Sequence, residues 1–371
     1  MKMKTINLFL STPILKHKNK FYVTKPFFFH ELSKYFKLNI YAYVRENLPA
    51  NKYKHVQINT KNITITPFFK NLSFGHFIRN YFVYKTKIKK VKEVKKGELF
   101  MVFYPVRTID NIFCYLLRDV KTIIWVKANP VEYKLSILLK YHFLYTTLKR
   151  TLDFIYEQFT KWLFNHKLIF HTGNISLNKS NTKTQFAFIS SLLGKKDLHY
   201  KKKELTNKII YVGNLSRQKG VSYLINAMAQ LKDKSLLIVG KGSYKKLNAN
   251  VKHYGPEYRR QKLFEMIRAY DILIMPSLSE KQGKVTLEAM SQGTVVIATD
   301  VGGVSAVVKN GYNGLLIKPA SSKAIALTVK KLYNNPRLYK KLQAGGYKTA
   351  RKHTLKNQVK FMTSKINTHF P

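Results

Sequence analysis

The sequence predicts an α/β protein built from two doubly wound parallel-sheet domains. Three observations predict it. The chain has 371 residues, longer than the roughly 250–300 residues at which a single core stops growing. Its composition, 45% hydrophobic and 13% aromatic, is enough to fill large cores. Short apolar runs alternate with stretches of helical period, most regularly in the second half, an order that favours parallel strands joined by right-handed crossovers.

The charge is the outlying feature. Lys plus Arg number 67 against 18 Asp plus Glu, a formal charge of +49. High charge signals disorder only together with low hydrophobicity, and that half of the signature is missing. Two readings of the charge stay open. AT-rich coding raises Lys, Asn, Ile, Tyr and Phe together, and all are abundant here. Alternatively the surface seeks polyanions, either nucleic acid or an anionic membrane face. The lone Cys114 excludes an internal disulfide and a Cys-rich zinc site. The apolar stretch near the N-terminus is shorter than a signal-peptide core of roughly 7–15 residues and reads as a first buried strand. No run of roughly 18 apolar residues predicts a spanning helix.

In the first half, strands are expected at 6–10, 38–43, 63–65, 99–104 and 122–126, and helices at 27–35, 109–117 and through much of 133–164. The last stretch interleaves Leu135, Leu139, Phe143, Phe159 and Trp162 with Lys134, Lys140, Lys149 and Arg150. It reads either as two amphipathic core helices or as an interfacial helix on an anionic bilayer. The polar, charged run at 194–208 is expected to be the linker. The expected domains are therefore 1–200 and 201–350, with 351–371 a C-terminal helix and tail.

The second half is more regular. Strands are expected at 209–212, 235–239, 272–275, 295–298 and 314–317, and helices at 221–231, 262–269, 285–292, 322–333 and 336–351. Doubly wound sheets bind ligands at the carboxyl ends of their strands. The first such loop, Gly213 to Gly220, carries Arg217 and Lys219 at a helix start, where backbone N–H groups attract phosphate. The Gly240-Lys241-Gly242 loop is a weaker signal of the same kind. The third loop sets Glu280 and Glu288 on either side of Gly283 in a chain poor in acids. Glu288 is also what a helix dipole favours near an N-terminus. Carboxylates beside a phosphate loop can accept hydrogen bonds from sugar hydroxyls, so the ligand described is a nucleotide-sugar. A fourth loop, Asp300-Val301-Gly302-Gly303, again permits close backbone approach.

Residues 208–350 resemble the C-terminal domain of family 4 glycosyltransferases. The carrying motifs are Glu280-x7-Glu288-Ala289-Met290, the Gly213…Lys219-Gly220 loop, Ala269-Tyr270-Asp271…Pro276-Ser277, and Asp300-Val301-Gly302-Gly303, in the family's order and spacing. The resemblance implies the GT-B fold, two Rossmann-like doubly wound parallel-sheet domains facing a cleft, with the donor on the second domain, the acceptor side on the first, and residues around 347–361 crossing back to the first. It implies a retaining, metal-independent hexosyltransferase using a UDP- or GDP-sugar. Lys219 and Glu280 are its catalytic candidates, the first holding the diphosphate and the second touching the donor sugar. Glu288 would grip the ribose. Gly213, Asn214, Arg217, Lys281, Gln282, Gly283, Lys284 and Val285 would complete the substrate site. No Asp-x-Asp is present, which disfavours the metal-dependent alternative fold.

The sequence also departs from the family. Asn214 stands where Arg is usual, leaving Arg217 to meet phosphate, and Ala306 stands where Glu is frequent. Thr12-Pro13 and Lys127-Ala128-Asn129 occupy the places of a glycine-rich loop and a His in the first domain.

The expected partners are a nucleotide-sugar donor, a glycan or lipid-linked acceptor of cell-envelope polysaccharide or lipopolysaccharide synthesis, and an anionic membrane surface, with no specific nucleic acid. The expected location is cytoplasmic, peripheral on the inner face of the membrane. The rival readings are a catalytically degenerate member, a polyanion-binding protein, which should concentrate its basic residues in one patch, and a different two-domain enzyme such as a nucleotide-sugar epimerase.

Overall fold

Apolar runs of three to five residues make most strands of the second half, because in a parallel sheet covered on both faces the central strands bury nearly every side chain. The computed structural model describes residues 3–18, 20–23, 27–46, 56–58, 61–70, 74–104, 108–126, 158, 162, 167–172, 184–189, 191–200, 205–243, 248–280 and 282–371. The chain divides into two units, Met1–Phe188 with Val359–Pro371, and Ile189–Gln358.

The first unit's sheet begins with β1 (Thr5–His17), β2 (Lys20–Val23), β3 (Lys37–Glu46), β4 (Val56–Gln57) and β5 (Ile63–Phe69). It continues with β6 (Leu99–Tyr104), β7 (Thr122–Val126), β8 (Leu168–Thr172) and β9 (Gln185–Phe188). Its parallel body runs β5-β3-β1-β6-β7-β8-β9. The second half of β1 pairs antiparallel with β2, which pairs antiparallel with β4. The helices are α1 (Phe27–Leu32), α2 (Phe74–Arg79), α3 (Tyr81–Val94) and α4 (Thr108–Leu116). Phe9, Phe69, Phe77, Tyr84, Phe100, Phe113 and Ile124 share one core. Buried Asn7 bridges the strands, donating to Glu98 Oε2 at 2.8 Å and accepting from Asn39 Nδ2 at 3.0 Å.

The second unit's strands are β10 (Lys208–Val212), β11 (Ser235–Val239), β12 (Val251–Gly255), β13 (Ile272–Met275), β14 (Val295–Thr299) and β15 (Leu315–Ile317). They form a parallel sheet in the order β12-β11-β10-β13-β14-β15. Its helices are α5 (Val221–Met228), α6 (Arg260–Arg268), α7 (Lys284–Ser291), α8 (Val304–Val307), α9 (Ser322–Tyr333) and α10 (Pro336–Lys352), followed by α11 (Leu355–His369), which spans the division.

The strand period of two sends alternate residues to opposite faces. Ile209 and Tyr211 join Ile274, Leu224 and Val329 in one core, while Ile210 joins Leu273, Phe264 and Met290 in the other. Each such buried side chain contributes about 1.5–3 kcal/mol. Asp271, 2% exposed, ties together the amino ends of the central strands β10 and β13. It accepts from Thr206 N at 2.8 Å, Lys208 N at 2.9 Å and Tyr333 Oη at 2.9 Å. Burial, with Asp271 beside it, holds the Tyr333 hydroxyl far above its ordinary pKa.

Several expectations need correction. The charged run expected as linker belongs in its described part to the second unit. Leu198 packs against one of its cores, Arg260 pairs with Asp197 at 3.3 Å, and Gln292 donates to the Asp197 carbonyl at 2.7 Å. The helix expected at 336–351 and the C-terminal helix expected within 351–371 are α10 and α11. The chain breaks where Thr354 Oγ1 accepts from Asn357 N at 3.4 Å, a hydroxyl capping a new helix start. Where Thr12-Pro13 replaces a glycine-rich loop, β1 runs on as strand, with a register shift between Leu10 and Ile14 that accommodates proline. The stretch 133–164 lies outside the described residues except Gln158 and Trp162, and so does 127–129. Among the described residues no helix is long and apolar enough to cross a membrane.

Candidate functional site

The second unit's strand order reverses direction between β10 and β13. Connections from these two strands leave on opposite sides there, so a crevice opens at their carboxyl ends. The loop after β10 ends in a 3₁₀ turn, Arg217–Lys219. Lys219 N donates to Ser216 O at 2.9 Å, and Gly220 N to Arg217 O at 3.1 Å. The loop after β13 is latched to it by Leu278 N donating to Gln218 O at 2.8 Å. The loop after β14 joins them, with Thr299 Oγ1 donating to Ser277 O at 2.5 Å and Gly303 N to Glu280 O at 3.3 Å.

Two glycines permit this contact. Gly220 has φ +61°, and a Cβ there would overlap the Pro276 carbonyl oxygen. Gly302 has φ +54°, and a Cβ there would overlap the Glu280 carbonyl oxygen. Both are left-handed positions that other residues occupy at a cost. The two glycines thus fix the backbones beside Lys219 and of Glu280.

The side chains meet across the reversal. Lys219 Nζ donates to Glu280 Oε2 at 2.5 Å, with 32% and 17% of the two side chains exposed. Solvent therefore reaches the lysine, and an arriving anion can compete for it. Arg217 is exposed on the same turn. Gly213 N is tied to Val239 O at 2.9 Å, and the exposed Asn214 has its carbonyl fixed by Tyr211 Oη at 2.9 Å.

Helix α7 opens directly after this pair. Gly283 caps it at φ +67°, accepting from Thr286 N at 2.9 Å and Thr286 Oγ1 at 2.7 Å. Its first-turn N–H groups, which begin at Lys284 and Val285, lie outside the helical ladder and form a positive end. Gln282 is 2% exposed, Lys284 is exposed, and Val285 is partly buried. Lys281 lies outside the described residues. Glu288 stands four residues beyond Lys284 on the same helix face. Its Oε1 lies 3.8 Å from Arg260 Nη1 at the start of α6, and the same guanidinium reaches Asp197 and stacks 4.5 Å over Phe264. Sequence reasoning missed Arg260 because the helix was read as starting at 262. Basic residues are so common here that another one carried no signal.

The arrangement therefore places one lysine, one arginine and a helix N-terminus beside the Glu280 carboxylate at a strand-order reversal, with Glu288 further along the helix against Arg260. It can hold an anionic diphosphate next to a hydroxyl-rich group.

Residues 194–349 match the family model described as glycosyl transferases group 1. All the described site residues lie inside the group 1 match. An uncharacterized glycosyltransferase of Methanocaldococcus jannaschii is 30% identical over 140 residues, 34% of this chain and 36% of its own length. A putative teichuronic acid biosynthesis glycosyltransferase of Bacillus subtilis is 33% identical over 133 residues, 35% of this chain and 34% of its own. The alignments thus span between a third and somewhat over two fifths of the first curated relatives' length. Among solved structures, Anabaena Alr3699/HepE in complex with UDP-glucose superposes with a TM-score of 0.60 at 14% identity, covering 97% of this chain and 99% of that one. With the two parallel-sheet units, this likeness identifies the fold as GT-B.

Proposed function

We propose that the chain is a retaining, metal-independent family 4 glycosyltransferase that moves a hexose from a nucleotide-sugar to a glycan or lipid-linked acceptor of the cell envelope. The observation that carries this is the Lys219–Glu280 pair, set at the strand-order reversal by loops locked to one another. The group 1 family match supports it, and so does the teichuronic acid biosynthesis in the name of the Bacillus relative. The bound UDP-glucose of the Anabaena protein favours a UDP-sugar donor.

In this reading the bond from the sugar's anomeric carbon to the diphosphate oxygen breaks. The acceptor hydroxyl attacks from the face the diphosphate leaves and passes its proton to the departing diphosphate oxygen, so configuration is retained. Lys219 leaves Glu280 to pair with the departing diphosphate, aided by Arg217 and the α7 N-terminus. Glu280 then turns to the donor sugar's hydroxyls, and Glu288 accepts from the ribose. The first unit supplies the acceptor side.

A thermal-shift screen of UDP- and GDP-sugars tests the reading. A ligand at a hundred times its dissociation constant adds about 2.7 kcal/mol, so at least one nucleotide-sugar should raise the unfolding midpoint by several degrees. If none does, donor binding is refuted. Transfer by the purified chain should be unchanged by EDTA, and a loss that added Mg²⁺ or Mn²⁺ restores would refute metal independence.

A further inference from the structure

In the first unit α2 and α3 meet at Asn80, whose φ of −108° and ψ of 20° leave helical geometry. Asn80 N donates to His76 O at 3.2 Å and Tyr84 N to Asn80 O at 3.0 Å, so the two helices form one bent rod. Ile78 and Phe82 stand on either side of the bend. The inner face is anchored. Tyr84 and Ile88 are 2% and 1% exposed, and Tyr84 stacks on Phe77 at 5.1 Å between centroids. Further along, Lys92 binds Asp119 at 2.5 Å and the Leu116 carbonyl at 3.2 Å. These contacts fix which face of the rod looks outward.

That outward face is apolar at its centre. Ile78 is 49% exposed, Phe82 76% and Val83 53%. A single exposed apolar side chain needs no explanation, but adjoining ones mark a contact surface. The surroundings are basic. From Ile78 to Lys96 there are eight basic residues against one acid, Glu93. Exposed Lys85, Lys89 and Lys90 flank the apolar centre, and Glu93 is already 3.9 Å from Lys89.

We propose that this face docks on the surface of an anionic lipid bilayer, Ile78, Phe82 and Val83 entering the headgroup boundary while the lysines meet the lipid phosphates. Charge complementarity selects the partner, since a patch this basic is attracted to a negatively charged leaflet. The aliphatic centre separates a bilayer from a nucleic acid. Ile78 and Val83 gain by leaving water for acyl chains, whereas phosphates and bases offer them nothing comparable. The inference stands apart from the sugar-transfer reading, because it concerns a different unit and is read by vesicle binding alone.

The test is flotation of the full chain with phosphatidylcholine vesicles and with vesicles in which part of that lipid is replaced by phosphatidylglycerol, at about 0.15 M salt. The wild type should float with the anionic vesicles and much less with the neutral ones. Phe82→Ser with Val83→Ser should weaken that binding about tenfold. Lys89→Gln with Lys90→Gln should weaken it roughly fivefold for each lysine removed. Both pairs are exposed, so urea midpoints should stay at the wild-type value, which separates lost docking from lost fold. Three outcomes would overturn the proposal: equal flotation with both vesicle types, wild-type binding by both variants, or tighter binding of an RNA or DNA oligonucleotide than of the vesicles in the same buffer.

Discussion

The two sheets end differently at their carboxyl edges. In the second unit β10, β13 and β14 stop, and their loops close on one another through Gly220 and Gly302, with Lys219 and Glu280 between them. In the first unit β1 passes the corresponding point and runs on to His17, where it acquires the antiparallel β2. One edge is shaped by close approach of loop backbone to loop backbone, and the other is extended by added strand. In the proposed reading it is this locked edge of the second unit that meets the diphosphate.

The comparison breaks most severely at a glycine. Gly220→Ala would drive a methyl into the Pro276 carbonyl at a left-handed φ. Overpacking and backbone strain together should cost about 3 kcal/mol. Gly97 in the first unit has φ +84° with nothing within 4 Å of its added Cβ, so Gly97→Ala should cost only about 1 kcal/mol. Urea unfolding checks both. Equal costs would show that the second unit's loops are not locked as described.

Next come the paired side chains. Lys219→Ala and Glu280→Ala should each lower sugar transfer about a hundredfold or more, the scale expected when a group facing developing charge is removed. The partly exposed pair itself contributes at most about 1 kcal/mol to stability, so unfolding midpoints should hardly move. Steady-state kinetics beside urea melts would reveal a purely structural role, in which stability falls and transfer does not.

The smallest effect belongs to the first unit. His171 on β8 is 3% exposed, and its Nε2 faces Gln185 Oε1 at 3.0 Å. Burial lowers its pKa, and the bond to Gln185 opposes that shift less strongly. A buried neutral histidine binds protons more weakly folded than unfolded. Stability should thus be full above the unfolded pKa of about 6.5 and decline as pH falls below it. His171→Gln should flatten that decline. An unchanged pH slope would remove His171 from the account.

How much of this was legible follows the same division. β6, β7, β11 and β13 stood out because short apolar runs between polar breaks, too short for helices, fit buried strands. β12 did not, since Lys252, His253 and Gly255 interrupt its period. Helix α3 was hidden by composition, with only Tyr84 and Ile88 of its residues buried among lysines. At the site, Gly220, Lys219, Glu280 and Glu288 were readable as a spaced set, and Glu280 stood out because acids are scarce. Arg260 and Asp197 were not, because their link to Glu288 is made by tertiary packing between α6, α7 and the segment before β10. The run 194–208 looked like linker for the same reason, as its few anchors, Leu198 and Asp197, act through partners distant in sequence.

The most direct test of the central claim is calorimetric binding of one nucleotide-sugar and its nucleoside diphosphate to the wild type, Lys219→Ala and Glu280→Gln. With Lys219 on the diphosphate and Glu280 on the sugar, Lys219→Ala should weaken both ligands by about tenfold or more, the scale of a lost charge-assisted hydrogen bond. Glu280→Gln should weaken the nucleotide-sugar alone. Wild-type affinity of Lys219→Ala for both ligands would contradict the account.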